Sequence, residues 1–196
     1  VSKSFVRIEK DNVPDLAKIL ADLADVMVLV GIPQENTRRP GEPITNAEIG
    51  FIHNFGAPEA NIPQREFMAP GIHVVLPQIT DGLRTAALAA LDGNKSNMEG
   101  ALHAVGIVAA TSIKKTIIAD IPPPLAPATV AARIARRKSP SWRAKRRKLV
   151  AANVAANKPP GAGIFTALID TASLLNSITY VIERVRSGIS TVARMP

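Results

Sequence analysis

Apolar positions recur at three- and four-residue spacing in two stretches of this chain, and each stretch predicts a helix with one buried face. In the first, Leu16, Ile19, Leu20 and Leu23 form a stripe behind Pro14, which suits a first helical turn, with Asp11 or Asn12 as cap. The second runs Met98, Leu102, Val105, Ala109, Ile113 and Ile117, the strongest periodic signal present, with Ser96 and Glu99 at capping-box spacing. Strand patterns flank these helices. Residues 26–32 are a β-branched run stopped at Gly31 and Pro33, which predicts a buried central strand; residues 2–9 alternate like a short edge strand. Residues 177–185 and 189–195, joined by Ser187 and Gly188, predict a terminal hairpin.

Shorter signals fill the intervals. Thr45 and Glu48 make a second capping box, so a short helix should run to about Asn54, with Ile49, Ile52 and Phe55 on its apolar face. Gly56 should end it in a left-handed conformation. Pro70 can open a helix reaching Leu91, kinked or split at Pro77. The four prolines within residues 121–127 enforce an extended segment, after which residues 129–138 can be helical until Ser139, Pro140 and Ser141 interrupt them. Residues 158–163, rich in Pro and Gly, predict a flexible linker, and Asp170 a cap for a short helix bearing Leu174 and Leu175. Helices segregated from a small, mostly antiparallel sheet make the fold class α+β, with the two long helices covering one face of the sheet.

Length changes this picture little, since 196 residues suit one ordinary domain. The expectation is a single core from residues 1–120 and 164–196, with 121–163 as a basic, Pro-rich insertion or arm. Alanine is abundant and aromatics are few, which favours thin helical layers that need neighbours to complete their core. The absence of cysteine excludes disulfides and thiolate metal sites. Residues 1–12 lack the apolar core of a signal peptide, and His103, Thr111 and Ser112 interrupt the most apolar stretch, so neither a leader nor a membrane span is expected.

Charge changes it more. The net charge is +8, yet residues 121–169 hold ten Lys or Arg and no Asp or Glu, leaving 14 basic against 16 acidic residues elsewhere. The basicity is one local feature. Catalytic patterns are missing: His53, His73 and His103 have no metal-binding spacing, and there is no GxGxxG, GxxxxGK[ST] or GxSxG. Asp22 and Asp25 fall on a solvated helix face, and Ser177 sits at a helix end. Neither an enzyme nor a cofactor is expected.

Three motifs remain. The first is Ala47-Glu48-Ile49-Gly50-Phe51-Ile52-His53-Asn54-Phe55-Gly56 followed by Ile62-Pro63-Gln64-Arg65-Glu66-Phe67-Met68; the second is Pro123-Pro124-Leu125-Ala126-Pro127-Ala128-Thr129; the third runs from Leu168-Ile169-Asp170-Thr171-Ala172 through Ser173-Leu174-Leu175-Asn176-Ser177 to Ile178-Thr179-Tyr180. In this order they resemble the tail-completion and neck proteins of tailed bacteriophages. In that family a short helix ends in a Phe-Gly pair, an Ile-Pro-x-Arg-Pro-Phe turn leads into a long helix, and a Leu-Ile-Asp-Thr-Gly segment comes near the end. The chain departs from the pattern at Glu66, where proline is usual, and at Ala172, which replaces a glycine and puts a left-handed backbone there in doubt.

The resemblance implies a virion protein assembled in the host cytoplasm. It would form a homo-oligomeric ring, hexameric as in related necks, at the head-tail junction or tail end, against adjacent neck, connector or tail-tube proteins. Arg65, Phe67 and Trp142 are the expected interface anchors, because arginine and aromatic residues dominate buried contacts. The basic stretch adds Arg133, Arg136, Arg137, Arg143, Arg146 and Arg147 as interface candidates, with Lys138, Lys145 and Lys148 among them. Three roles are open to that stretch: a solvated insertion, a contact with an acidic protein surface, or contact with packaged DNA. Six phosphate contacts would give a log-log salt slope near −5. The alternative reading is a nucleic-acid-binding accessory protein using the same insertion.

Overall fold

The structure, a computed structural model, describes residues 13–33, 43–186 and 189–193. It is α+β: α1 (Val13–Ala24), β1 (Val26–Gly31), α2 (Asn46–Phe55), α3 (Met68–Val74), α4 (Leu76–Leu91), α5 (Lys95–Ile118), α6 (Pro127–Ala135), α7 (Pro140–Ala155), α8 (Ser173–Ser177), β2 (Thr179–Arg186) and β3 (Ile189–Ala193). The strands form one sheet in the order β1-β2-β3. The expected terminal hairpin is present, β2 and β3 pairing antiparallel from Ile182 opposite Ala193 to Arg186 opposite Ile189. Among the described strands β1 ends the order, and Met27 and Leu29 on it are exposed, so it is not the buried central strand its composition suggested. The predicted strand at 2–9, the cap at Asp11 or Asn12, the loop at 34–42 and the turn at Ser187 and Gly188 lie outside the described residues.

The chain divides into two compact units, neither of which matches the expected division into core and insertion. The first takes the described residues up to Leu29, Gln78–Gly106 and those from Val181 onward. Ala86, Met98, Leu102 and Val105 are buried in it, and the closeness of Gly82 to the Val105 side chain shows how tightly α4 packs on α5. Leu16 and Leu20 of α1 remain exposed, so only part of the predicted α1 stripe is covered. Glu99 does not complete a capping box with Ser96: Asn94 caps α5 by accepting from Asn97 N–H, and Glu99 pairs with Arg184 at 3.2 Å.

The second unit comprises Val30–Pro77 and Ile107–Tyr180. Its core joins Phe67, Ala110, Ile113, Ile117, Leu168, Leu174 and Ile178. Gly71 of α3 lies so close to α5 that a Cβ there would stand 2.8 Å from Ile113 Cα, and Ser112 Oγ donates to the Gly71 carbonyl at 2.6 Å. The expected break near Pro77 falls at Val75, one residue before α4, where proline can stand because its missing N–H has no helical partner. By length and composition α5 could cross a membrane; here its predicted stripe, Met98 through Ile117, is buried in the protein.

The 121–163 segment, expected as an insertion or arm, is a folded part of this unit. Leu125, Val130, Ile134 and Ala167 form a second apolar cluster, against which Trp142, Val150 and Phe165 pack. Ser139 caps α7 by accepting from Trp142 N–H. The predicted linker at 158–163 is a packed turn: the Asn153 side chain donates to the carbonyls of Pro160 and Ala162, and Gly161 is buried against Val130.

Candidate functional site

The three motif segments, far apart in sequence, meet within the second unit. The first begins at α2, where Thr45 Oγ1 accepts from Glu48 N–H and the Glu48 carboxylate accepts from Thr45 N–H at 2.7 Å, the predicted reciprocal cap. These bonds hold the Glu48 carboxyl below the usual range. Gly56 ends α2 with φ +79°, and a Cβ there would stand 2.9 Å from Gln64 N, so glycine is required twice over. The fully buried line of α2 is Asn46, Gly50 and Asn54; of the predicted apolar face Ile49 packs against the core, Ile52 is half-buried and Phe55 is exposed. Asn54 carries the consequence. Its side-chain oxygen accepts from the N–H groups of Phe67 and Met68, capping α3 from outside its own sequence.

Arg65 ties this turn to the second motif, its Nε donating to the Pro123 carbonyl at 3.0 Å and Nη2 to the Pro124 carbonyl at 3.2 Å. Both carbonyls lie in an extended segment with no helix or sheet ladder to satisfy them, and the guanidinium supplies the donors. Arg133 does the same for the third motif. Its Nη1 donates to the carbonyls of Thr166 and Ile169, its Nη2 to that of Ala167, and its Nε lies 3.9 Å from the Asp170 carboxylate. Asp170, expected to cap α8, is held instead by Arg136 at 2.6 Å. Asn46 and Ser173 exchange side-chain hydrogen bonds and close the circuit from the third motif back to the first.

Ala172 precedes α8 with φ 61° and ψ 7°. The backbone is therefore left-handed at Ala172, a conformation that alanine adopts at some cost. No effect of Glu66 on this circuit is seen, and its side chain is exposed.

A groove of about 840 Å³ opens beside these contacts, lined by His53, Arg65, Leu125, Arg133, Arg136 and Asp170. His53 Nδ1 is buried with no hydrogen-bond partner, and burial first, then the charges of Arg65 and Arg133, push its pKa below the usual histidine value. The ring is neutral at pH 7. Burial also lowers the pKa of both arginines, opposed by Asp120 and, for Arg133, by Asp170. Main-chain carbonyls engage donors of both guanidiniums, so both side chains make structural bonds beside the groove. Among the described residues no group of three His, Asp or Glu could hold a metal ion.

The predicted interface residues separate accordingly. Phe67 is 0%, Arg65 5% and Arg133 8% exposed, so these three brace the fold from within and do not anchor a partner at the surface. Trp142 is half-buried, 6.3 Å from the Phe165 ring, with the Arg137 and Arg146 guanidiniums 5.7 and 5.3 Å from its own ring. Arg136 is exposed but paired, Arg143 half-buried and Arg147 exposed. Sequence reasoning missed Asn54 and the Asn46–Ser173 pair; the only signal for Asn54 was a polar residue at the helix end before Phe55 and Gly56. No protein-family model, curated protein or solved structure matches the chain.

Proposed function

We propose that this chain is a non-enzymatic structural subunit of a tailed-phage particle, forming a homo-oligomeric ring at the head-tail junction or tail end against neck, connector or tail-tube neighbours. The observation that carries the reading is the convergence of the three resembling motifs. Arg65 of the first bonds to Pro123 and Pro124 of the second, Arg133 on the helix that the second opens bonds to Ile169 of the third, and Ser173 of the third pairs with Asn46 just before the first. Assembly is supported by large apolar side chains left at the surface. The rings of Phe51 and Phe55 of the first motif lie 4.8 Å apart at a tilt of 47°, yet are 65% and 60% exposed, a composition typical of interface centres.

The experiment is to purify the particle, identify its proteins by mass spectrometry and locate the chain in a symmetry-resolved map. The expected result is a sixfold ring at the neck or tail end. Absence of the chain from washed particles overturns the reading. The alternative, a nucleic-acid-binding accessory protein, is favoured by the acid-free run of ten basic residues at 121–169 and predicts the chain in infected cells but not in particles.

A further inference from the structure

The outer face of α7 decides among the roles open to the basic stretch. An α-helix turns 100° per residue, and α7, 16 residues long, spans about 24 Å. Trp142, Arg143, Arg146, Val150 and Asn153 are half-buried on its inward side. The outward arc holds Lys145, Arg147 and Lys148, all exposed, with Pro140, Ser141, Ala144, Ala151, Ala152 and Ala155 between them; exposed Leu149 and Val154 stand at its two margins. Lys138, also exposed, lies in the turn before α7. Among the described residues no ion pair engages these four cations. The sequence segments of this unit carry fifteen basic and seven acidic residues, against nine of each in the other, so the whole net charge belongs here.

We infer that this face binds the phosphate backbone of duplex nucleic acid without reading its sequence. An acidic protein surface fits less well, for two reasons. Four of the arginines that could grip carboxylates bidentately already have partners within the chain: Arg133 on carbonyls, Arg136 on Asp170, and Arg137 and Arg146 over Trp142. The exposed cations on the arc and in the turn before it are three lysines and one arginine, and the centre of the arc has no large aliphatic or aromatic side chain to serve as a protein-interface anchor. Base stacking is also excluded as the mode, since Trp142 is enclosed by two guanidiniums and Phe165. What remains is a row of point charges, which suits a polyphosphate.

The inference does not depend on particle incorporation, so the two can fail separately. The test is fluorescence anisotropy of the full chain with a labelled DNA duplex of about 20 base pairs, with salt raised from about 50 to about 200 mM. Four phosphate contacts predict a log-log slope of about −4 and a weakening of about two orders of magnitude over that range, indifferent to sequence. Trp142 emission should not change on binding. In K145A/R147A/K148A the slope should fall to about −1, while Arg84→Ala, on exposed α4, should leave it unchanged. Alanine is a strong helix former, so the triple variant should keep its Trp142 emission spectrum and its fold. No binding at the lowest salt, a slope near zero, or polyglutamate competing as well as DNA of equal charge would each overturn the inference, the last in favour of an acidic protein partner.

Discussion

Replacing Arg133 distinguishes a brace inside the fold from an anchor between subunits. In Arg133→Met the stem is largely kept, but the carbonyls of Thr166, Ala167 and Ile169 lose their donors, at 2.9, 2.8 and 3.0 Å, and Asp170 keeps only its Arg136 contact. A net hydrogen bond from a charged donor contributes about 1.5–3 kcal/mol. The three here share one desolvation cost, and some of the freed carbonyls can turn to water, so the expected loss is about 3–5 kcal/mol, the range for breaking a buried charged contact. Lysine keeps the charge and can reach one carbonyl, so Arg133→Lys should lose about 2 kcal/mol. Trp142 is the only tryptophan and packs against the cluster that contains Ile134 and Ala167, so urea unfolding followed by its emission reads this unit directly. With an m-value of about 2 kcal/mol/M, the midpoint of Arg133→Met should fall by about 2 M. If that variant unfolds within about 1 kcal/mol of the parent yet fails to enter particles, the guanidinium works between subunits and the brace argument is wrong.

Three further outcomes follow from the same geometry. Ala172→Gly should stabilise the protein by about 0.5–1 kcal/mol in the same urea assay, because the left-handed penalty of alanine exceeds the extra freedom glycine has when unfolded; a destabilised variant would contradict the positive φ. Gly71→Ala should cost about 1–3 kcal/mol by forcing α3 away from Ile113, and a thermal-melt midpoint no lower than the parent's would refute that contact. Because the His53 pKa is lowered in the fold, the unfolded chain takes up the proton first as pH falls. Its contribution is fully present above the unfolded value of about 6.5 and is lost below that, toward the lowered folded value. Stability measured across this window should therefore fall less steeply in His53→Asn, and identical profiles would count against the buried, neutral ring.

Periodicity and local chemistry determined a good deal of this protein by themselves. The stripe from Met98 to Ile117, the Thr45–Glu48 cap, the glycine stop at Gly56 and the terminal hairpin were all legible, because each depends on residues within one or two turns of each other. The fold class followed from them. Burial that depends on distant chain could not be read this way. A β-branched run does not say whether a neighbour covers it, so the composition of β1 points to a burial that Met27 and Leu29 do not have. An arginine in a basic stretch looks free until the carbonyls that engage it arrive from 33 to 36 residues away, as they do at Arg133. The same applies to Arg65, which meets Pro123 and Pro124 from 58 and 59 residues away. Tertiary structure thus decided which cations brace the fold and which remain on the outer arc of α7, since hydrogen-bond satisfaction in a folded chain is settled by proximity in space and not along the sequence.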